Sequence, residues 1–198
     1  QAKKVARQLQ KLGYDTELIF VKSEGDLDLT TPLTEMGGKG VFTKALDDAQ
    51  INTQIDIAVH SFKDLPTENP LPLKVAAIME RADARDSLVA PDGTEFLDDP
   101  DYKATIATSS NRRRAQWLYR YPKHEIVNIR GNVNTRLEKV ENKDWDGAIF
   151  AAAGLERIDL GHHISEYLDW MVSAAAQGAM AVMIREDDSE METIVSQL

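Results

Sequence analysis

Cysteine is absent from this chain of 198 residues. Without thiols the chain can form neither a disulfide nor a thiolate metal site, and it has no cysteine nucleophile. A reducing cytoplasm is therefore the expected compartment. Long apolar runs are missing as well, since no stretch approaches the roughly 18 residues of a membrane-spanning helix, and no signal-peptide pattern opens the sequence. The remaining composition, 42% hydrophobic and 28% charged, is typical of a globular protein.

Positive charge is scarce overall and concentrated where it occurs. The formal net charge is −10, yet residues 112–157 hold ten basic against six acidic side chains, which gives +4. The other 152 residues hold 13 basic and 27 acidic side chains, which gives −14. Such an acidic surface would repel nucleic-acid phosphates, so the basic segment predicts a localised site for small polyanions.

Strand and helix patterns alternate along the chain, which predicts an α/β fold with largely parallel sheets. Predicted strands cover 16–22, 55–60, 74–79, 104–108, 125–129 and 146–151. Predicted helices cover 44–50, 112–121, 133–141 and 164–170, after an opening helix that ends at Gly13.

Both termini of the sequence lie inside helical patterns. No Met and no capping residue precedes the first helix, and a capping box of Ser189 and Glu192 predicts another helix that continues to the last residue. We therefore expect the sequence to be an internal piece of a longer protein.

The segment DIAVHSFKDLP, residues 56–66, combines a strand pattern with reactive side chains. The strand ends in Ser61-Phe62-Lys63-Asp64, and Pro66 prevents any regular continuation. His60 is expected to close the strand with a satisfied hydrogen bond. Because open α/β sheets bind ligands at the carboxyl ends of their strands, Lys63 and Asp64 are candidate site residues.

Arginine follows three further strands at the junction with the next helix. Hydroxyl groups of 108–110 precede the first of these helices, and Asn132 is predicted to cap the second. A single arginine is most often solvated or part of a structural ion pair. Five at consecutive strand ends predict a ligand with several carboxylates. They are Arg112, Arg113, Arg130, Arg136 and Arg157.

Two other motifs indicate no additional ligand chemistry. The glycine loop 37–40 lacks the spacing and the Lys-Ser/Thr pair of a phosphate loop, so it predicts a hinge or lid. His162 and His163 are adjacent rather than one helical turn apart, which favours an exposed turn over a metal site.

Seven motifs in order resemble one family over nearly the whole chain. They are GGKGVFTKAL, DIAVHSFKDLP, the ER-D-RD pattern at 80–86, TSSNRR, RGNVNTRL, AAGLERI and AQGAM. The family is hydroxymethylbilane synthase, also called porphobilinogen deaminase. The resemblance implies two α/β domains of the type II periplasmic-binding-protein kind, with the chain crossing between them twice. Domain 1 would comprise 1–81 plus 178–198, and domain 2 would comprise 82–177.

The resemblance implies a transferase of tetrapyrrole biosynthesis that joins four porphobilinogen units into hydroxymethylbilane and releases ammonia. Its cofactor would be dipyrromethane, held by a Cys in a C-terminal domain that this chain lacks, as it lacks the family's first strand. We therefore expect the isolated chain to be inactive. The implied partners are porphobilinogen and linear oligopyrrole intermediates, with a monomeric protein and no nucleic acid or membrane.

The resemblance also assigns roles to residues. Asp64 would be the catalytic carboxylate, which hydrogen-bonds pyrrole N–H groups and stabilises a transient cation. Cofactor carboxylates would be held by Lys63, Ser61, Ser109, Arg112, Arg113 and Arg136. Substrate would contact Arg130, Arg157, Arg81 and Gln177, and Lys39 would belong to a mobile loop.

Several positions depart from the family pattern. Asn111 stands for Leu, and Ala176 and Ala181 stand for Gly, which matters if those backbones need positive φ. Two alternatives stay open. A non-catalytic binding module would need the arginines but not Lys63 and Asp64, and a degenerate relative would fold without assembling cofactor.

Overall fold

The computed structural model describes residues 1–21, 43–68 and 70–198. They form two compact units. Unit 1 comprises Gln1–Ala82 and Ala179–Leu198, and unit 2 comprises Asp83–Gly178. The chain thus leaves unit 1 once and returns to it once, which is a double crossover.

Helices and strands are mixed in both units. The helices in the described residues are α1 Ala2–Lys11, α2 Lys44–Ile51, α3 Asn111–Arg120, α4 Val133–Glu141, α5 Ala152–Glu156 and α6 Ser189–Val195. The strands are β1 Ala58–Ser61, β2 Leu73–Ile78, β3 Asp86–Val89, β4 Thr105–Ala107, β5 Glu125–Val127, β6 Gly147–Ala151, β7 Glu166–Tyr167 and β8 Met180–Arg185. None of these helices is long and apolar enough to cross a bilayer.

The sheet of unit 1 has the order β1-β8-β2, and both pairs are antiparallel. The central strand β8, with the sequence MAVMIR, is buried at every position but the last. Because alternate side chains point to opposite faces, Met180, Val182 and Ile184 pack with α1 and α6, whereas Met183 packs with Ala58 and Leu73. The continuous apolar run of β8 therefore serves two cores at once.

The sheet of unit 2 has the order β5-β4-β6-β3-β7. Strands β5, β4 and β6 are parallel, and β3 is antiparallel to both of its neighbours. One face buries Leu88, Ile106 and Trp117, and the other buries Leu137 and Phe150. The end of this sheet at which β4, β5 and β6 finish is called the carboxyl end below.

The prediction of largely parallel sheets was wrong for unit 1 and incomplete for unit 2. The strand β8 comes from more than 100 residues later than β2 and runs against both of its neighbours. It was missed as a strand, as was β3. Local patterns of apolar residues locate a strand but say nothing of the direction in which a distant strand joins it.

Two predicted elements were also wrong. No strand covers 16–21, and Phe20 is 87% exposed, since no strand in the described residues pairs with this segment. The helix predicted over 164–170 is instead the short strand β7 followed by turns, because Glu166 and Tyr167 pair with β3. The buried Leu168 and Met171 lie three residues apart, which imitates helical spacing. The other predicted elements exist, with boundaries shifted by three residues at most.

The helix ends follow from their capping residues. Gly13 follows α1 with φ +94°, a conformation that glycine adopts without strain. The cap of α6 is Asp188, whose carboxylate accepts from the backbone N–H of Met191, so the predicted cap at Ser189 was one residue late.

Candidate functional site

A short turn at the end of β1 carries the predicted catalytic residue. Phe62–Asp64 form a single 3-10 turn directly after the strand. The backbone N–H of Phe62 donates to the carbonyl of Ala179 at 3.1 Å, and that of Leu65 donates to the carbonyl of Phe62 at 3.3 Å. Lys63 and Asp64 are exposed on this turn. Main-chain hydrogen bonds to the sheet of unit 1 therefore fix the place of both side chains.

His60 lies behind this turn and is 5% exposed. Its Nε2 has no hydrogen-bond partner among the described residues, so the prediction of a satisfied hydrogen bond was wrong. Burial lowers the pKa of His60 to about 4. The imidazole is therefore neutral at physiological pH, and it adds no positive charge beside Lys63.

The carboxyl end of the unit 2 sheet brings the three arginine junctions side by side. Because β5, β4 and β6 are adjacent and parallel, the chain leaves all three at the same end. Ser110 caps α3 by accepting from the backbone N–H of Arg113 at 3.4 Å. Asn132 caps α4 by accepting from that of Thr135 at 2.9 Å, as predicted. Arg112, Arg130 and Arg136 thus lie at or just after the ends of β4 and β5, as predicted, whereas Arg157 follows the whole of α5 and not the end of β6.

The hydroxyl of Ser109, a predicted cofactor contact, is hydrogen-bonded to the main chain of the sheet. Its hydroxyl donates to the carbonyl of Ile129 at 2.7 Å and accepts from the N–H of the same residue at 3.0 Å. The side chain thus extends the pairing of β4 and β5 beyond their last residues. This hydroxyl stabilises the two strand ends that carry the neighbouring arginines.

A buried carboxylate, Asp86, lies at the carboxyl end, in the strand beside β6, and is 0% exposed. Arg112 Nη1 donates to its Oδ2 at 2.6 Å, and Arg113 donates to its Oδ1 through Nε at 3.0 Å and Nη2 at 2.8 Å. Gln177 Nε2 donates to the same Oδ1 at 2.9 Å. Burial would raise the pKa of Asp86, but the hydrogen bonds and positive charges of both arginines outweigh it and hold that pKa below its usual range.

The two adjacent arginines differ in their exposure to solvent and in their hydrogen bonds. Arg113 is 7% exposed and uses its remaining Nη1 on the carbonyl of Ile149 at 2.9 Å. Arg112 also donates to the carbonyl of Val172 at 2.6 Å, but its side chain keeps 26% of its surface exposed. Of the pair, Arg112 is therefore the one that solvent reaches.

The other predicted contacts in unit 2 are partly engaged with main-chain carbonyls. Arg136 Nε donates to Gly131 at 2.7 Å, and Arg157 Nη2 donates to Gly178 at 2.6 Å. Arg130 is 9% exposed and Gln177 is 1% exposed. Burial lowers the pKa of Arg157 from its usual value. The structure thus brings these residues to one end of a sheet but buries several of them.

The remaining predicted residues lie in unit 1 or outside the described part. Ser61 ends β1 and accepts a hydrogen bond from the amide of Gln1, and Arg81 is exposed near the last residue of the first segment of unit 1. Lys39 and its glycine loop lie outside the described residues. Among the residues that the structure describes, no group of three or more His, Asp or Glu side chains could hold a metal ion.

Sequence reasoning missed Asp86. The residue stands first in β3, and that strand is a short apolar run in which a leading aspartate looks like an exposed end. The one available signal was its position in the ER-D-RD pattern, which indicated a family match but no role. Its partners lie 26, 27 and 91 residues later in the chain, beyond the reach of any local pattern.

Comparison with known proteins identifies the family of the chain. The family model described as "Porphobilinogen deaminase, dipyromethane cofactor binding domain" matches residues 1–193. The chain belongs to the porphobilinogen deaminase family. Porphobilinogen deaminase of Syntrophotalea carbinolica is 46% identical over 98% of this chain and 63% of its own length. Those of Geobacter metallireducens and Clostridioides difficile are 42% and 41% identical, over 99% and 92% of this chain and 62% and 61% of their own lengths.

The chain thus spans about three fifths of the length of these porphobilinogen deaminases. Among solved structures, an ancestral cationic amino acid solute binding protein has a TM-score of 0.53 at 15% identity, over 98% of this chain and 76% of its own. The periplasmic VFT2 domain of Bordetella pertussis BvgS has a TM-score of 0.51 at 17% identity, over 98% and 74%. These likenesses confirm the periplasmic-binding-protein fold of type II.

Proposed function

We propose that the full-length protein is a hydroxymethylbilane synthase and that this chain carries its cofactor and substrate contacts. In each round the C–N bond of a porphobilinogen aminomethyl group breaks and ammonia leaves. The resulting methylene carbon bonds to the free α-carbon of the terminal pyrrole of the growing chain, and that carbon loses its proton. After four rounds the bond between the tetrapyrrole and its primer breaks, and water adds to the freed methylene carbon as its hydroxyl group. The observation that carries the proposal is that three adjacent parallel strands end at the same edge of the unit 2 sheet and that an arginine follows each of them within six residues.

Charge is the physical reason for this assignment. Each pyrrole unit brings an acetate and a propionate, so the growing chain becomes strongly anionic. Charge-assisted hydrogen bonds from guanidinium groups suit such ligands, at about 1.5–3 kcal/mol each. Within unit 2, Asp86, Arg112 and Arg113 together carry a net charge of +1, which fits one carboxylate.

The residues present fit dipyrromethane as a carboxylate-bearing group. Of the six predicted contacts, Lys63, Arg112 and Arg136 have exposed or half-exposed side chains that favour direct binding, and Ser61, two residues before Lys63, is half-buried. The hydrogen bonds of Ser109 and Arg113 within unit 2 favour supporting roles for these two. When bound, dipyrromethane supplies the primer to which the first porphobilinogen is joined. No Cys in this chain could hold it covalently.

Asp64 is the proposed catalytic carboxylate. It would accept hydrogen bonds from pyrrole N–H groups, assist departure of the amine and stabilise the positive charge that develops on the pyrrole. Arg81, Arg130 and Arg157 would bind substrate carboxylates, and the buried Gln177 would act through Asp86. The proposal includes a monomeric cytoplasmic protein that binds neither nucleic acid nor membrane, and an isolated chain without turnover.

The test is the full-length protein with Asp64→Asn, supplied with porphobilinogen. We expect hydroxymethylbilane formation to fall by at least about 100-fold, since a carboxylate that stabilises charge in the transition state is lost. Affinity for a synthetic linear dipyrrole with acetate and propionate side chains should persist. Asp48→Asn, an exposed aspartate on α2, is the matched control. Unchanged turnover in the Asp64 variant would remove its catalytic role.

Intact mass separates the enzyme from the two alternatives. Full-length protein from cells that make porphobilinogen should exceed its sequence mass by two linked pyrrole units. An unmodified mass together with absent turnover would instead indicate a binding module or a degenerate relative.

A further inference from the structure

We infer that Asp86 is a positioning residue that holds Arg112 as a site for one carboxylate, while Arg113 is its buried counter-ion and touches no ligand. The inference rests on the proposed function, since it concerns how the cluster binds a pyrrole carboxylate. It departs from the expectation that both arginines bind the ligand directly.

The topology of unit 2 explains why a carboxylate lies there at all. β3 runs antiparallel to β6, and its first residue pairs with the last residue of that strand, Asp86 with Ala151. An antiparallel strand therefore begins where its parallel neighbours end. This placement delivers the Asp86 carboxylate to the N-terminus of α3, where Arg112 and Arg113 occupy the first turn.

The hydrogen bonds divide the work between the two arginines. All three nitrogens of the Arg113 guanidinium donate to Asp86 or to Ile149. Arg112 spends only Nη1, on Asp86 and on Val172. Its Nε and Nη2 have no hydrogen-bond partner among the described residues, and these are the two donors that a carboxylate can take side by side.

A second clamp fixes the other acceptor of Arg112. Gln116, one turn further along α3, donates to the carbonyl of Val172 at 3.0 Å and accepts from its N–H at 2.7 Å. The Arg112 guanidinium is thus held between a buried carboxylate and a carbonyl that is itself anchored to the same helix. Such fixation lowers the ordering cost of binding, since the side chain gives up little freedom when a carboxylate arrives.

Positioning and simple electrostatics predict opposite effects of removing the Asp86 charge. Asp86→Asn raises the net charge of the cluster from +1 to +2, so Coulomb attraction alone predicts tighter binding of an anion. If Asp86 orients Arg112, the same change weakens binding in spite of the added positive charge. Arg113→Lys keeps the net charge but loses the paired hydrogen bonds, so positioning predicts weaker binding where net charge alone predicts no change.

The experiment is calorimetric titration of the chain with a synthetic linear dipyrrole that carries acetate and propionate side chains. We expect Arg112→Gln and Asp86→Asn each to weaken binding at least tenfold, and Arg113→Lys to weaken it several-fold. Arg114→Gln, an exposed neighbour on α3, is the matched control and should change affinity less than twofold. Unchanged or tighter binding by folded Asp86→Asn would overturn the inference while leaving the proposed function intact.

Folding and the identity of the ligand are controlled separately. Near-ultraviolet circular dichroism reports whether each variant keeps its tertiary packing, and Asp86→Glu replaces Asp86→Asn if the latter unfolds, with at least tenfold weaker binding again expected. If the wild-type chain binds the probe no better than Arg112→Gln, the proposed function loses its support. Nitrogen NMR of the arginine side chains then decides. Slow rotation of the Arg112 guanidinium in the wild type that becomes fast in Arg113→Lys would support positioning. Fast rotation already in the wild type would overturn it.

Discussion

The two units place their candidate site residues by different means. In unit 1, Lys63 and Asp64 are exposed on a three-residue turn that main-chain hydrogen bonds tie to the sheet. In unit 2, Arg112 and Arg113 are fixed by side-chain bonds to the buried Asp86. A turn held by its backbone tolerates side-chain replacement, whereas a buried ionic cluster does not, because each member neutralises another. Substitutions at the site residues of unit 1 should therefore change function without changing stability, whereas those in the unit 2 cluster should change both.

Removing the Asp86 carboxylate should have the largest effect on stability. Asp86→Ala leaves the Arg113 guanidinium buried without its counter-ion, and breaking a buried pair in this way costs about 3–5 kcal/mol. Urea unfolding followed by circular dichroism measures the loss. Asp83→Ala, which breaks the exposed contact with Arg85, is the control and should cost less than about 1 kcal/mol. A similar small loss for Asp86→Ala would show that the cluster in unit 2 is not structural.

Mild acid should destabilise unit 1 through His60. Its folded pKa of about 4 lies below the usual value of 6.5, so the unfolded state binds the extra proton first. The contribution of neutral His60 to the free energy of unfolding is fully present above about pH 6.5. It falls as the pH drops and is lost below about pH 4, with a total loss of about 3 kcal/mol. In unit 2, His124 acts in the same direction, since burial lowers its pKa and its Nδ1 accepts from Trp117. Asp86, whose pKa is held low, loses its contribution only below its usual range.

Urea unfolding at pH 7.5 and pH 5 checks this expectation. His60→Gln should flatten the pH dependence, because a neutral amide replaces the titrating group. His162→Gln, at an exposed position, should leave the dependence as it is. If the free energy of unfolding changed equally between pH 7.5 and pH 5 in the wild type and in His60→Gln, the assignment to His60 would be contradicted.

Two alanines at positions where the family resemblance implies glycine sharpen the contrast between loop and strand. Ala176 has φ +56°, a left-handed conformation that costs a side-chain-bearing residue about 1–2 kcal/mol. Glycine has its own entropic cost of roughly 0.5–1 kcal/mol, so Ala176→Gly should stabilise by about 0.5–1 kcal/mol net. Ala181 lies in β8 and is 0% exposed, so Ala181→Gly should destabilise by about 1 kcal/mol. Thermal unfolding measures both, and a destabilised Ala176→Gly would refute the strain at that position.

Asp64→Asn should have the smallest effect on stability. The side chain is exposed and its turn is held by the main chain, so the free energy of unfolding should change by less than about 0.5 kcal/mol. The same substitution is expected to remove turnover in the full-length protein. A loss of more than about 2 kcal/mol in urea unfolding would mean that unit 1 also builds its site from structural side chains, and the contrast between the units would fail.

Periodicity and capping chemistry were sufficient for most local structure. The helix at 133–141 begins and ends as predicted, because Asn132 provides its cap and its buried side chains recur at helical spacing. The direction and order of the strands were beyond local patterns. β8 reaches its place between β1 and β2 only through the fold of the whole chain, and nothing in MAVMIR states which strands it will join.

The sequence predicted a set of candidate site residues but not their contacts. Arginines near strand ends predicted an anion site, and the structure brings the three strand ends of unit 2 to one edge of its sheet. Ser109 hydrogen-bonds to Ile129, and Arg113 donates its hydrogen bonds to Asp86. These contacts join segments about 20 and 27 residues apart. Sequence spacing cannot tell an arginine that faces a ligand from one that neutralises a buried carboxylate.

The middle position of β8 also bears on the order in which the protein is made. Unit 2 is complete once residue 178 has left the ribosome, whereas the sheet of unit 1 lacks its central strand until residues 180–185 follow. A stalled nascent chain that exposes residues up to 178 should therefore already resist protease within 83–178, and rapid cleavage there would contradict this. Unit 1 begins first in the sequence but can complete its sheet only after unit 2 has been made. Until then β1 and β2 lack the strand that pairs with both, and unpaired strands of this kind are prone to aggregate.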